Sequence, residues 1–102
     1  QSLNNLAVLY YHQGKYKRAE PLFRRALAIR KQQLGPEHPH TAQSLNNQAE
    51  LYRAQGKYDQ AEPLYQRALA ICVQQLGLEH PSTQTVRRNY AALRQEMKRD
   101  AE

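Results

Sequence analysis

Apolar and small residues recur at helical spacing along the chain. In the first stretch of this pattern they form two sets: Leu3, Leu6, Ala7 and Tyr10, followed by Ala19, Phe23, Ala26 and Leu27. Intervals of three and four residues place each set on one face of an α-helix. Between the sets stands Gly14, followed by Lys15 and Tyr16, and a glycine with positive φ ends a helix at little cost. The pattern therefore predicts two antiparallel helices joined by a very short turn.

The pattern repeats with a period of 42 residues. Residues 43–84 match residues 1–42 at 29 of 42 positions, and residues 85–102 begin a third unit. Three residues of the third unit match the first unit: Asn89, Ala91 and Leu93 correspond to Asn5, Ala7 and Leu9. The Gly-Lys-Tyr that would follow them is missing. We therefore expect one domain of two helix hairpins and one further helix, stabilised by contacts between neighbouring units.

The second helix of each unit has a predicted end and a proline near its start. It is expected to run to about Gln33 or Gln75, since a Leu-Gly pair follows. Pro21 and Pro63 are expected at the edge of its first turn, where proline is tolerated.

The linker between units contains two further signals. Pro39 and Pro81 suit the first turn of the next helix, where no N–H donor is needed, so the last helix is expected to start near Pro81. The histidines that precede them, His38 and His80, are expected to cap these helices.

The composition by itself favours disorder. Leu, Ile, Val and Phe make up 19 of 102 residues, the net charge is +6 and the mean hydropathy is −0.92, which is typical of disordered chains. The helical phase of the apolar positions outweighs this, because alanines such as Ala7 and Ala19 let helix axes approach while Phe23 and the tyrosines fill the space between them. An ordered all-α fold is therefore expected.

The sequence also carries signals about location. No apolar run approaches the roughly 18 residues that span a membrane, and the N-terminal sequence has no basic segment followed by an apolar one. Cys72 is the only cysteine, so nothing indicates an internal disulfide or an oxidising compartment. These features predict a cytoplasmic protein without a membrane segment. Because Gln1 is not preceded by methionine, we expect the chain to be part of a longer protein.

The motifs resemble those of a known repeat family. The spacing Leu-x-x-Leu-Ala-x-x-Tyr, then Gly-Lys-Tyr-x-x-Ala-x-x-Leu-Phe-x-x-Ala-Leu, between Leu3 and Leu27, resembles the tetratricopeptide repeat. The 42-residue period and the LNN, AEPL, RALAI and Leu-Gly-x-Glu-His-Pro segments are similar to the kinesin light chain subtype. The resemblance implies a right-handed α-solenoid of antiparallel helix pairs that acts as a non-catalytic protein-interaction module.

The sequence departs from the family pattern at three positions. Gln48 stands where the family has leucine, and Arg87 and Arg94 stand where it has apolar residues in the last helix. The two arginines predict a terminal capping helix with a solvated outer face.

The first helices of the three units are expected to line a concave groove. Its candidate peptide-binding residues are Asn4, Asn5, Tyr11, His12, Asn46, Asn47, Arg53, Arg88 and Asn89. Asparagine is a poor residue for a helix interior, yet it recurs here, and its amide can both donate to and accept from a peptide backbone. The resemblance implies that Asn5, Asn47 and Asn89 contact the ligand backbone. The alternative is that these amides hydrogen-bond between adjacent helices and bind nothing.

Charge is unevenly distributed over the units. Unit one carries seven basic and two acidic residues, unit two three and four, and residues 85–102 five and three. A cationic groove end near Arg53 and Arg88 would favour an acidic peptide, because charge-assisted hydrogen bonds to carboxylates are stronger than neutral ones. Four further cations are expected on the convex face as a solvated surface: Arg18, Arg24, Arg25 and Lys31.

Other function classes have weaker support. A basic chain could bind nucleic acid, but no recognised motif is present and most tyrosines occupy packing positions. Glu37, His38 and His40 are close in sequence, but Ser82 replaces His40 in the second unit, so no metal site is predicted. No cofactor motif and no catalytic motif is found, and Cys72 is interpreted as an incidental thiol.

Two alternatives to peptide binding stay open. Leu3, Leu6 and Tyr10 of the first helix would present an apolar stripe in the absence of a preceding pair, which would favour a homodimer. By resemblance, the segment could instead be the terminal sensor arm of a multidomain signalling ATPase.

Overall fold

The structure is a computed structural model that describes residues 2–101. These residues form five α-helices: α1 (Ser2–His12), α2 (Tyr16–Leu34), α3 (Pro39–Ala54), α4 (Tyr58–Leu76) and α5 (Pro81–Ala101). α1 and α2 form one hairpin, α3 and α4 form a second, and α5 packs mainly against α4. Within these residues no helix is both long and apolar enough to cross a membrane. The predicted all-α stack of helix hairpins is confirmed.

The turn inside each hairpin depends on a glycine in the left-handed region. Gly14 and Gly56 both have φ +77°, a conformation that a residue with a Cβ rarely adopts. After Gly14, the N–H of Lys15 donates to the carbonyl of Tyr10 at 2.8 Å, and the second hairpin has the equivalent bond. This closes the first helix and starts the second within three residues, which confirms the predicted short turn.

The linkers between units also follow the prediction. α3 and α5 begin at Pro39 and Pro81. Nδ1 of His38 accepts a hydrogen bond from the N–H of His40 at 3.0 Å, and Nδ1 of His80 accepts one from the N–H of Ser82 at 3.0 Å. Each imidazole thus satisfies one of the N–H groups that a helix leaves unpaired at its start.

The two internal prolines are tolerated within their helices, as predicted, but they lie deeper than the edge of the first turn. α2 begins at Tyr16, so Pro21 is its sixth residue and lies in the second turn, and Pro63 occupies the same place in α4. Proline at this depth leaves the carbonyl four residues earlier without its helical donor. For Pro21 that carbonyl belongs to Lys17, an exposed residue, so water can supply the missing hydrogen bond.

Small residues let each hairpin close tightly. Ala7 and Ala19 in the first hairpin, and Ala49 and Ala61 in the second, are 0 % exposed. Ala7, Ala19 and Phe23 share a cluster, as do Ala49, Ala61 and Tyr65. The aromatic ring fills the space that the alanines leave, as the sequence predicted.

Each unit boundary is filled by a leucine from the next unit. Leu51 of α3 enters the cluster of the first hairpin, and Leu93 of α5 enters that of the second; both are 0 % exposed. Leu9 is the equivalent residue of α1 and is 51 % exposed, and Leu6 beside it is 40 % exposed. The apolar stripe predicted on α1 is thus open at Leu6, because no unit lies against this side of α1 within residues 2–101.

The two unit boundaries differ at the positions that Arg30 and Ser44 occupy in the first of them. At the first boundary Arg30 donates to Oγ of Ser44, a buried residue, at 3.0 Å and to the carbonyl of His40 at 3.0 Å. At the second boundary the equivalent residues are Cys72 and Val86, both buried in one cluster. Burial raises the pKa of the Cys72 thiol, which makes it less reactive.

Candidate functional site

Asparagine side chains join the first helices of successive units. Nδ2 of Asn47 on α3 donates to Oδ1 of Asn4 on α1 at 3.1 Å. Nδ2 of Asn89 on α5 donates to Oδ1 of Asn46 on α3 at 3.3 Å. The two bonds have the same register, and they run across the surface formed by α1, α3 and α5, which we call the first-helix face. Asn4 is only 9 % exposed, and its side chain accepts a hydrogen bond from the neighbouring helix.

Asn47 and Asn89 keep hydrogen-bonding capacity beyond these bonds. A carboxamide offers two N–H donors and an oxygen acceptor, and within residues 2–101 each of these side chains makes one hydrogen bond. Both residues are half-buried. Hydrogen bonding between adjacent helices, the alternative to a peptide role, is therefore present at Asn47 and Asn89, but it uses only part of each amide.

A cavity of about 190 Å³ opens on the first-helix face. It is lined by Val8, Tyr11, His12, Phe23, Asn46, Asn47, Glu50 and Asn89. The lining comes from all three units. One wall is apolar and aromatic, and the other carries carboxamides and one carboxylate, so the cavity can accept a mixed polar and apolar ligand.

A chain of polar contacts crosses the second unit beside the cavity. The hydroxyl of Tyr65 on α4 donates to Oε1 of Glu50 on α3. Arg53 donates to the same Oε1 at 3.0 Å, and its Nε donates to both carboxylate oxygens of Glu96 on α5 at 3.2 and 3.3 Å. The network therefore connects three helices.

This network changes the expected charge of the groove. Arg53 was expected as a cation open to a ligand, but it is paired with Glu50 and Glu96. Partial burial acts to lower the pKa of Arg53, but its hydrogen bonds and the two carboxylates outweigh that effect and raise it. Two carboxylates surround the one guanidinium, so its positive charge is compensated. One of them, Glu96, lies 43 residues away in sequence and is brought to Arg53 by α5.

Tyr11 forms the aromatic wall of the cavity. Its ring lies 5.3 Å from the ring of His12 and 5.8 Å from that of Tyr16, centroid to centroid. Burial and the negative charge of Glu50 raise the pKa of Tyr11. A tyrosine hydroxyl is protonated at neutral pH even without this shift, so Tyr11 can donate a hydrogen bond to a ligand.

The structure brings together some of the predicted site residues and separates others. Five of them line the cavity: Tyr11, His12, Asn46, Asn47 and Asn89. The other four lie outside its lining: Asn4, Asn5, Arg53 and Arg88. Asn5 and Arg88 are exposed.

Sequence reasoning did not identify Glu96 and Tyr65 as parts of this region. The signal for Tyr65 was available, because Phe23 and Val8 of unit one change together to Tyr65 and Glu50 of unit two. Within residues 2–101 no cluster of three or more His, Cys, Asp or Glu side chains could hold a metal ion.

Comparison with known proteins identifies the repeat. The sequence profile of the tetratricopeptide repeat matches residues 1–72 and again residues 43–102. The chain belongs to the tetratricopeptide repeat family. Tetratricopeptide repeats form scaffolds for protein–protein interaction, and the chain is a scaffold of this kind. No curated protein sequence matches it.

Solved structures place these tetratricopeptide repeats in the kinesin light chain-like type. The nearly identical TPR-like repeats of a putative kinesin light chain from Podosopora anserina are 30 % identical to the chain, with a TM-score of 0.85. A single-substitution variant of that protein gives 28 % identity and a TM-score of 0.84. Each match covers 96 % of this chain and 46 % of the other. The chain thus spans about half the length of these structures.

Proposed function

We propose that the chain binds an extended peptide along the first-helix face. The observation that carries this proposal is the cavity of about 190 Å³ whose walls combine carboxamides from α3 and α5 with the aromatic side chain of Tyr11 from α1. Asn47 and Asn89 have donors and acceptors left for a peptide backbone. Because the helices are held by their own packing, the receptor loses little conformational freedom on binding.

The proposed preference for an acidic peptide rests on Arg88. Arg53 is compensated by Glu50 and Glu96, whereas Arg88 is exposed and has no ion pair within residues 2–101. Arg88 directly precedes Asn89, which lines the cavity. A peptide carboxylate at this end of the face would therefore form a charge-assisted contact.

A random peptide library displayed on phage tests the proposal. Selected peptides are sequenced and their affinities are measured by fluorescence anisotropy against the wild type, Val8→Arg, Arg88→Glu and Arg25→Glu. Val8→Arg fills the cavity and should abolish binding, and Arg88→Glu should weaken the acidic peptides by about tenfold. Arg25→Glu is the matched control, because Arg25 is exposed on α2 and the charge change is the same.

The outcomes separate the two parts of the proposal. Peptides that bind Val8→Arg as well as the wild type would show that the first-helix face is not the site. Selected peptides without excess Asp and Glu, with equal affinity for Arg88→Glu and Arg25→Glu, would leave the site in place and remove the acidic preference.

A second candidate function is self-association through α1. Leu6 and Leu9 are 40 % and 51 % exposed on neighbouring turns of this helix, and exposed apolar stripes promote association. Sedimentation equilibrium over a wide concentration range tests it. A dimer that Leu9→Glu dissociates, and that Gln74→Glu on an exposed position of α4 leaves intact, would support this function; a constant monomer mass would exclude it.

A further inference from the structure

One face of α5 carries three cations around an alanine. Arg87, Ala91, Arg94 and Lys98 follow one another at intervals of four, three and four residues, so they form a single stripe along the helix. Asn89 and Glu96 lie on the opposite side of α5, toward the first-helix face. The stripe is therefore separate from the proposed peptide site.

Ala91 is exposed at a position that is closed in both preceding units. Its equivalents Ala7 and Ala49 are 0 % exposed, because each packs in a cluster with an alanine of the second helix in its own hairpin, Ala19 or Ala61. No such helix lies beside α5 in residues 2–101. In the part of the chain that the structure describes, the side of α5 that corresponds to the inside of a hairpin is therefore open.

This open side forms the floor of a groove with a volume of about 810 Å³. Its lining consists of Glu62 from α4 and of Ala91, Arg94, Gln95, Met97, Lys98 and Arg99 from α5. The groove has a small apolar centre at Ala91 and Met97. The charged residues that α5 contributes to the groove are all cationic. Glu62 of α4 accepts a hydrogen bond from the hydroxyl of Tyr90 at 3.0 Å.

The residues that flank Ala91 differ in kind from those in the other hairpins. Arg87 stands where Leu45 packs at 2 % exposure, and Arg94 stands where the second unit has Tyr52. Within residues 2–101 neither arginine forms an ion pair. The Arg94 guanidinium lies over the ring of Tyr90 at 5.7 Å, which holds it beside the groove.

We propose that this stripe docks an acidic amphipathic helix of a partner protein. A small residue of that helix packs on Ala91, as alanine does in the two hairpins, and carboxylates of that helix pair with Arg87 and Arg94. The arginines are seven residues apart, or about 10.5 Å along the helix. An antiparallel partner helix therefore needs Glu or Asp three residues before its small residue and four residues after it.

Charge decides between this occupant and a second copy of the chain. The chain carries a net charge of +6, and a second copy would bring its own cations toward the stripe. The positive charge of the stripe attracts an acidic helix and repels a cationic one, so it favours an acidic partner over a second copy.

Two designed helical peptides test the proposal. Both have a central alanine, with Glu in one peptide and Lys in the other at the third position before it and the fourth after it. We expect the wild type to bind the Glu peptide about tenfold more tightly than the Lys peptide, as measured by fluorescence anisotropy. Arg87→Glu/Arg94→Glu should reverse this order. Arg18→Glu/Arg25→Glu, with the same charge change on exposed residues of α2, should leave it unchanged.

The remaining outcomes overturn the proposal. If the wild type binds neither peptide, the stripe is only a solvated helix surface. If the Arg18→Glu/Arg25→Glu variant loses the preference equally, the attraction is a property of net charge and not of the stripe. If sedimentation shows a dimer that Arg87→Glu/Arg94→Glu dissociates, the occupant is a second copy of the chain.

Discussion

The hydroxyl of Tyr65 donates a hydrogen bond to Glu50, at two positions where the preceding repeat has Phe23 and Val8. Tyr65 is 0 % exposed, and a buried hydroxyl without a partner is costly. The carboxylate on α3 supplies that partner. The two substitutions are therefore one structural change, which converts an apolar contact between helices into a polar one.

A double-mutant cycle at Tyr65 and Glu50 tests this coupling. Tyr65→Phe removes the hydroxyl and should lower the free energy of unfolding by about 1 kcal/mol, whereas Glu50→Val leaves the hydroxyl buried without an acceptor and should cost about 2 kcal/mol. The double variant restores the Phe23–Val8 combination of unit one and should cost about 1 kcal/mol less than the sum. Urea unfolding followed by circular dichroism measures all four proteins; additive losses would contradict the coupling.

Alkaline pH should weaken the fold through Tyr65. Burial, followed by the hydrogen bond to Glu50, raises the pKa of Tyr65 above its ordinary value of 10.0. The folded chain then keeps a proton that the unfolded chain releases, so this contribution is complete below about pH 10 and falls by about 1.4 kcal/mol for each further pH unit. The wild type should lose more unfolding free energy than Tyr65→Phe between about pH 10 and about pH 11. Parallel losses would exclude Tyr65 as the cause.

The asparagine bonds between units should contribute to stability. Asn47→Ala leaves the 9 % exposed Asn4 without its donor and should cost about 1 to 2 kcal/mol. Asn5→Ala is the matched control, because Asn5 holds the same repeat position but is exposed. It should change stability little or raise it slightly, since alanine has the higher helix propensity. Equal costs in thermal unfolding would mean that the interhelical bond contributes nothing.

The leucine at the unit boundary should contribute strongly to the free energy of unfolding only where a preceding unit covers it. Leu51→Ala removes a side chain that is 0 % exposed and should cost about 2 to 5 kcal/mol. Leu9→Ala makes the same chemical change at the equivalent position of α1, where the residue is 51 % exposed, and should cost less than about 1 kcal/mol. Urea denaturation at one low protein concentration compares the two. A Leu9→Ala cost as large as that of Leu51→Ala would show that α1 is covered in solution.

The histidine caps should set the stability of the helices that follow them. His80→Ala removes the acceptor for the N–H of Ser82 and should cost about 1 kcal/mol, while His80→Asn should restore most of the loss. His12→Ala is a control, because His12 is exposed at the end of α1. Thermal unfolding measures the three variants, and equal midpoints for His80→Ala and His80→Asn would argue against the cap.

The helix hairpins were predictable because their causes are local. The apolar spacing, the glycines with positive φ and the prolines at Pro39 and Pro81 each act within a few residues along the chain. The tolerance of Pro21 has a local cause as well: the carbonyl that loses its helical donor belongs to Lys17, an exposed residue. The tendency of Pro21 to break α2 is outweighed by the packing of Ala19 and Phe23, which stand on either side of it in the sequence.

The site was predictable only in part. Its asparagines were visible from the repeat register, and those on α3 and α5 line the cavity. The pairing of Asn47 with Asn4, and of Arg53 with Glu96, joins residues 43 positions apart. Such pairings depend on the angle and spacing between neighbouring units, which no local pattern contains.

The sequence by itself determined the helices, their hairpin order and the family, because the apolar spacing and the turn residues act over a few neighbouring residues and recur in each unit. Only the tertiary structure decided which charges are compensated and which faces are open. Arg53 and Arg94 are both arginines in first helices, yet one is held between two carboxylates and the other has no ion pair within residues 2–101. The physical reason is that the field at a side chain is set by its neighbours in space, and stacking brings those neighbours from distant parts of the chain.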